Sequence, residues 1–525
     1  MSSFPAIPDQ NTGSTEAAET SKSKHRTIVF LLLVSVFSMG LAAFAAYHVA
    51  PYMDEGTFSD ASWNLSHHGF MGTTVLETTG TGLTRLERHT YWVMPLYLVG
   101  QAGWMLVVHP SLFGVRLFSV FWIPFSIFAL YIFLRRIGCG ETAALFAAAF
   151  HGLSFVLIDN AKNARPDVMC MALGWLAFAV YATLREKSLA LALCAGNALV
   201  AVSGLTHPNG ILYFAGLWLM VLWLDRSRLR WNHFALAALV YIAGAGLWSI
   251  YILQDPTAFV DQLRANSDHR FGVVSWSTIH LPLPLRLLWG EIHDRYLVVF
   301  GILSPTPASR LKGLVLLTYI AALIAVPATP LRRRRSVRLL MVMLALFFVI
   351  QATVNQKLGF YFVHIEPLYA ALVGIAAAAM WPSLNRTWRL AFVAWFLLIT
   401  GIQVGFTIEK ARSLSTAASQ YEIAQFLDSH ARQARLIFGS ACLIHSVGYD
   451  PRYLDDRYLG VRSGKHADVI IMADYLQSDL YDTLRQERPE DWNRISQRLG
   501  EYRLVLTRPG YHVYFTPELA NALPK

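Results

Sequence analysis

The chain has 525 residues, of which 55% are hydrophobic and only 15% charged. A soluble domain cannot bury that much apolar surface, so lipid is part of its solvent. The net charge of +10 would suit nucleic acid. Its distribution excludes that reading, because the basic residues sit in short clusters between apolar runs, at Arg135-Arg136, Arg185/Lys187, Arg226/Arg228/Arg230, Arg332 to Arg335 and Arg386/Arg389, where they act as topology anchors.

Residues 1–27 are polar and Ser/Thr-rich, and are expected to form a disordered cytoplasmic tail. Lys22, Lys24 and Arg26 precede an apolar run from Ile28 to Ala46. Ala43-Phe44-Ala45 resembles a signal-peptidase site, but the run exceeds the roughly 7–15 residues of a signal h-region, so it reads as a retained anchor. Further apolar runs predict spans at 28–50, 112–134, 141–158, 166–184, 188–206, 209–224, 233–253, 313–331, 337–354, 361–381 and 389–408. The run 91–108 contains Pro95 and Gln101 and has no basic anchor. Counting it as a span would put Arg135-Arg136, Arg185/Lys187 and 226–230 outside; leaving it in the interface puts every basic cluster inside, Arg310 and Lys312 excepted.

The expected architecture is therefore an α-helical polytopic membrane protein of about 11 spans, N-terminus in and C-terminus out. Its membrane domain covers 28–408, with long outer loops at 51–111 and 254–311. In the second loop, Leu285, Leu288, Trp289, Ile292, Tyr296 and Val299 follow helical spacing opposite Arg286, Glu291, Asp294 and Arg295. That pattern predicts an amphipathic helix lying in the interface. Residues 409–525 become charged and ordinary in hydropathy and predict a small extracytoplasmic α/β domain. YEIAQFLDSHARQ has the helical pattern, while RLIFGS, ADVIIMA, YRLVLT and YHVYF read as strands, the last closing a hairpin after Arg508-Pro509-Gly510. No GxGxxG follows a strand, so no nucleotide cofactor is expected. Cys139, Cys170, Cys194 and Cys442 show no CxxC spacing and support neither a metal cage nor a disulfide framework. Asn64-Leu65-Ser66 matches the N-glycosylation pattern.

With that topology, the reactive polar residues outside the basic clusters gather on the outer face. Asp54 and Glu55 follow span one, and Arg165-Pro166-Asp167 open span four. Thr206-His207-Pro208-Asn209 join spans five and six. Asn355-Gln356-Lys357, Tyr361, His364 and Glu366 stand at the mouth of span ten. Ionisable groups collected at one interface point to a site there. Asp54 and Glu55 suit either a solvated helix cap or a general base with a neighbour that orients substrate, as glycosyl transfer to a hydroxyl requires. Arg116, Arg165, His207 and Lys357 suit a phosphate whose charge grows as a sugar leaves it. Simpler roles stand beside these: snorkelling for Arg116, an interface anchor for Lys357, and a tight turn for His207-Pro208.

Several short motifs in order carry a resemblance. They are the acidic pair after span one, a Pro-Leu-Tyr juxtamembrane segment, Gly-x-Arg-Leu-Phe-Ser opening the next span, then ARPDVMCMALGWLAFAVY, THPNG and QKLGFYFVHIEPLYA. Over about residues 28–408 the chain resembles the GT-C glycosyltransferases, specifically the protein O-mannosyltransferase and lipid A aminoarabinose transferase superfamily. The resemblance implies a polyprenyl-phosphate-linked sugar donor, inversion at the anomeric carbon, and an active site on the extracytoplasmic face; a bacterial inner membrane is the expected location. It implies Asp54 as base, with Glu55 orienting acceptor or donor. Arg165 and Lys357 would hold the lipid phosphate with Tyr361 beside it, and Arg116 matches the arginine of the second span; Asp167 and His207 complete the expected substrate-binding set. Where relatives have His-Pro-Pro or Lys-Pro-Pro before the juxtamembrane helix, this chain has a single proline, Pro95. Some relatives bind a divalent metal, for which Asp54, Glu55 and His207 offer ligands; the metal stays open. The acceptor is a hydroxyl of protein, lipid or glycan. The alternatives are a flippase or transporter of lipid-linked saccharide, sharing the basic sites, and a glycan ligase or polymerase, taking a larger donor.

Overall fold

A computed structural model describes residues 12–271, 284–354, 356–413 and 417–523. Asn355 and part of the loop 254–311 lie outside the described residues. Eight helices are long and apolar enough to cross a bilayer, from Lys24–His48 and Leu112–Arg136 through Arg386–Ser413. A ninth candidate is the pair Glu141–Gly152 and Phe155–Ala161, bent by 48°. Helices Gly210–Asp225 and Glu366–Met380 fill two more predicted spans but have only 16 and 15 residues. The chain is an integral membrane protein built on these helices.

Small residues bring the central helices together. A Cβ on Gly374 would stand 2.4 Å from the Ala143 carbonyl oxygen, so helix Glu366–Met380 approaches Glu141–Gly152 backbone to backbone, as membrane helices do through small side chains. At the periphery, Trp231–Ile252 presents Leu239, Ile242, Leu247 and Ile250 outward, each 60–71% exposed. An apolar helix exposed in this way faces lipid. The run 91–108 contains the helix Pro95–Met105, whose 11 residues rise only about 16 Å, half a bilayer core.

In the second outer loop the expected helix forms, as Pro284–Gly290 continued by a π-helical turn over Glu291–Leu297, and part of its polar face packs into the protein. Glu291 and Arg295 are fully buried, whereas Leu288, Trp289 and Ile292 are 39–62% exposed. In an interface the apolar face is the one given to lipid. The ionic face turns inward because Glu291 finds Arg295 at 2.5 Å and Lys357 at 3.1 Å, pairing its charge inside the protein.

The C-terminal domain is a five-stranded mixed sheet with helices against it. Its strands are β1 (Ile437–Gly439), β2 (Tyr453–Leu454), β3 (Val469–Ala473), β4 (Arg503–Arg508) and β5 (Tyr511–Phe515). The order is β2-β1-β3-β5-β4. β1 runs parallel to β2 and β3, and β5 runs antiparallel to β3 and β4. The β4–β5 hairpin turns at Gly510, whose φ of 78° suits glycine.

This domain sits on the first outer loop. Helix Met53–His68 passes so close to the segment Ala441–Leu443 that a Cβ on Gly56 would lie 1.9 Å from the Ala441 carbonyl oxygen. Trp63 stacks on Tyr449 with ring centroids 4.6 Å apart, Leu76 bridges to Asp455, and Lys465 pairs with Glu77 at 2.6 Å.

Candidate active site

Helix Met53–His68 begins immediately after the first span, and its entry is fixed by a buried ion pair. Arg116, on the second span, donates from Nη1 to the carbonyls of Ala46 and Val49 at 2.6 and 2.8 Å, and from Nη2 to that of Ala50 at 3.2 Å. These are carbonyls at the end of the first helix that lack helical partners. The remaining guanidinium donors meet Glu55, Nε to Oε1 and Nη2 to Oε2, both at 2.7 Å. Glu55 also accepts from the amides of Ala164 (2.7 Å) and Tyr52 (2.6 Å). Both side chains are fully buried. Burial raises the Glu55 carboxyl; Arg116 and the two amides outweigh it and hold it below the usual carboxylate range.

That clamp aims the neighbouring residue, Asp54, elsewhere. Asp54 and Arg165 form a close ion pair, and Arg165 Nε donates to Asp167 Oδ2 at 3.0 Å. The guanidinium lies over Phe360, 4.3 Å from the ring centroid, and near Tyr52. Burial would lower the Arg165 pKa, but Asp167 and Asp54 raise it above its ordinary value, so it stays charged. Asp54 retains 24% side-chain exposure, against 4% for Arg165 and 1% for Asp167. Its Oδ1 has no protein partner among the described residues.

Asp54 opens into a cavity of about 450 Å³. The floor is apolar and aromatic, with Phe58, Trp92, Tyr97 and Leu98; Arg165, His207 and Tyr361 form one wall, and Asp455, Asp456, Arg457 and Arg462 of the C-terminal domain the other. Both Asp455 and Asp456 are committed to backbone: Asp455 accepts from the Ala441 amide at 2.7 Å, and Asp456 from those of Tyr458 and Gly460 at 2.9 and 3.1 Å. Arg457 is exposed and reaches Met53 Sδ at 2.8 Å.

The expected site residues therefore separate into groups. Asp54, Arg165, His207 and Tyr361 line the cavity, with Asp167 one layer behind Arg165. Glu55 and Arg116 are brought together, but in the clamp behind the wall, where all five N–H donors of Arg116 are occupied and no orienting contact with a ligand is open to Glu55. Lys357 turns from the cavity toward Glu291 and the Ala352 carbonyl at 2.9 Å. Burial lowers its pKa, against the pull of Glu291. Glu366 is not at the outer mouth; it is fully buried against His151 at 2.5 Å and Tyr319 at 3.0 Å. Asn64 does not present its amide for glycosylation, because Nδ2 donates to the Gly72 carbonyl at 2.9 Å and the residue is buried.

Sequence reasoning missed two contributors. Arg295, read as part of the polar face of the interfacial helix, is buried with its guanidinium carbon 6.0 Å from the Tyr361 ring centre, and its Nε and Nη2 have no hydrogen-bond partner among the described residues. Its place on the same helical face as Glu291, one turn away, was the available signal. The second is the cavity wall from 455–462, for which the Asp455-Asp456-Arg457 run gives no periodic or motif signal.

No family model matches the sequence, and no curated protein matches it. Solved structures do. The chain is similar to ArnT from Cupriavidus metallidurans bound to undecaprenyl phosphate, at 15% identity and a TM-score of 0.55, covering 95% of this chain and 99% of that one. The apo form of ArnT gives a TM-score of 0.57. The Archaeoglobus fulgidus oligosaccharyltransferase tethered to an acceptor peptide gives 0.58 at 11% identity, covering 94% of this chain and 74% of that one. The chain therefore shares the fold of these proteins over 94–96% of its length.

Proposed function

We propose that the protein is a glycosyltransferase that moves a sugar from a polyprenyl-phosphate donor to an acceptor hydroxyl, with inversion at the anomeric carbon. The observation that carries this reading is Asp54, a partly exposed carboxylate at the membrane end of a 450 Å³ cavity, held by Arg165 on one side and unpartnered at Oδ1. The solved structures with this fold include one bound to undecaprenyl phosphate. An acid at the lipid edge meets a donor whose tail remains in the bilayer.

In this mechanism Asp54 Oδ1 accepts the proton of the acceptor hydroxyl as that oxygen attacks the anomeric carbon from the face opposite the phosphate. The carbon–oxygen bond to phosphate breaks as the new one forms, and the electron pair leaves on the phosphate oxygen. Cations fixed in a poorly hydrated place stabilise that charge. Arg165 on the cavity wall is assigned this role, with the charge of Arg295, which keeps two unpartnered donors among the described residues, close to the Tyr361 ring. Glu55 and Arg116 act through position, fixing the helix that presents Asp54. Asp167 holds Arg165, and the aromatic floor under His207 packs the sugar. The site is assigned to the extracytoplasmic side of the membrane.

The test is turnover in lipid nanodiscs of a panel of radiolabelled polyprenyl-phosphate sugars. Loss of sugar from one donor with formation of free polyprenyl phosphate supports the reading. Movement of intact donor across the bilayer, with its sugar–phosphate bond unbroken, would instead make the protein a flippase.

A further inference from the structure

Behind the Arg165 wall, three elements converge on a cluster of metal-ligating side chains, of which the transfer reaction uses only His207 at the cavity wall and Asp167 as the support of Arg165. Cys170 lies one turn into helix Asp167–Leu184, His207 ends helix Leu189–Thr206, and His364 precedes helix Glu366–Met380. All three are buried, and one potential ligand atom from each lies within 4.8 Å of the others. Asp167 stands on the same helix face as Cys170, three residues before it. Its Oδ1 is 3.9 Å from His364 Nε2, and both of those atoms are buried without a hydrogen-bond partner among the described residues.

We infer that Cys170, His207 and His364, with Asp167 as fourth ligand, form a binding site for a soft divalent cation of the zinc class. The donor set is thiolate, two imidazoles and a carboxylate, which suits tetrahedral Zn2+. For Cys170, His207 and His364, closing from the present spacing to metal–ligand bonds of about 2.0–2.3 Å needs side-chain shifts of about 1 Å or less. Charge points the same way. Arg165 is shared by two carboxylates, Asp54 and Asp167, so the cluster carries an uncompensated negative charge in a buried place. A divalent cation together with the Cys170 thiolate brings the total to zero.

The supporting shell is in place. Tyr213 Oη is 2.9 Å from His364 Nδ1, so a proton on Nδ1 leaves Nε2 free for metal. Tyr213 reaches that position only because residue 174 is glycine; a Cβ there would lie 2.1 Å from the Tyr213 ring. Ser203 Oγ donates to the Cys170 carbonyl at 2.8 Å and stands 3.2 Å from Cys170 Sγ, holding the turn that carries the thiol. The turn carrying His207 closes through Gly210, whose Cβ would strike Gly204 Cα at 2.4 Å. The Asn209 amide contacts His207 Nδ1 at 3.1 Å; a metal takes the ring in place of that contact. A cation here holds Asp167 in place and, through it, Arg165.

The test uses full-length protein purified without a histidine tag, loaded with Zn2+ or Co2+, passed over chelating resin and analysed by elemental mass spectrometry. About one metal per chain is expected in the wild type, and the Co2+ form shows a thiolate-to-metal charge-transfer band. Cys170→Ser removes that band, and Tyr213→Phe weakens affinity by about 10–100-fold. A monodisperse wild-type protein that retains no metal, or that shows no thiolate band with Co2+, overturns the assignment without reference to any variant. Equal retention by Cys170→Ser overturns it as well. None of these readouts depends on sugar transfer.

Discussion

Replacing Glu55 by alanine tests whether the clamp behind the active site is a structural device. Glu55 accepts four hydrogen bonds of 2.6–2.7 Å, two from Arg116 and one each from Tyr52 and Ala164. Neither side chain of the pair is exposed to solvent. The substitution leaves a buried guanidinium without its counter-charge and two buried amides without acceptors. Removing one partner of a buried pair costs about 3–5 kcal/mol, far above the roughly 0–1 kcal/mol of a surface pair. Glu55→Gln keeps the shape and one acceptor oxygen and is expected to fall between. Because the two residues share one network, Glu55→Leu with Arg116→Met should cost less than the sum of the single changes by about 1–3 kcal/mol. The double variant still does not return to wild type, since the carbonyls of Ala46, Val49 and Ala50 lose their donor. The assay is reversible unfolding in mixed detergent micelles. A loss below about 1 kcal/mol for Glu55→Ala would refute the reasoning and place the pair with weak surface bridges.

Three further outcomes follow from the geometry. Gly56→Ala sets a methyl 1.9 Å from the Ala441 carbonyl oxygen and should loosen the C-terminal domain, read as faster limited proteolysis between residues 409 and 441. Asp60 is pushed up to about 6 by burial, against the amides of Val75 and Thr74. A folded pKa above the unfolded value of about 3.9 means that its contribution to stability is present in acid and is lost as pH rises through about 6. Asp60→Asn keeps an acceptor oxygen and should flatten Tm across that window. Arg165→Lys cannot bridge Asp54 and Asp167 at once; losing one charge-assisted bond worth about 1.5–3 kcal/mol should lower kcat/KM by roughly ten- to a hundredfold and, because Arg165 is buried, lower Tm as well.

Much of the architecture was legible because the bilayer imposes length. Spans such as 112–134 and 337–354 coincide with helices Leu112–Arg136 and Arg335–Ala352, and the segments read as strands supply β1, β3, β4 and β5. β2, at two residues, is too short to leave a periodic signal, and the helices Asp474–Glu487 and Pro489–Gly500 were not anticipated. The parity argument from basic clusters kept 91–108 out of the spans, and its 11-residue helix agrees. The burial of Glu291 and Arg295 was not legible for a physical reason: periodicity identifies the two faces of an interfacial helix, but not whether its polar face meets water or protein. Within the site, residue order along the chain brought out Asp54, Arg165, His207 and Tyr361. That consecutive acids diverge follows from any backbone; where they go, Asp54 to the cavity and Glu55 into the Arg116 clamp, does not. Nor could spacing bring Cys170 beside His207 and His364, which meet only through the packing of three helices.

The central claim is that Asp54 is the base. The most direct measurement compares wild type, Asp54→Asn and Asp54→Glu in nanodiscs with the donor that turns over, scoring donor binding and sugar transfer separately. The account predicts that Asp54→Asn binds the donor within a fewfold of wild type and transfers at least about a hundredfold more slowly, a loss of the size general-base removal brings. Asp54→Glu should recover part of the rate. Transfer by Asp54→Asn at the wild-type rate would contradict the account and remove Asp54 from the mechanism.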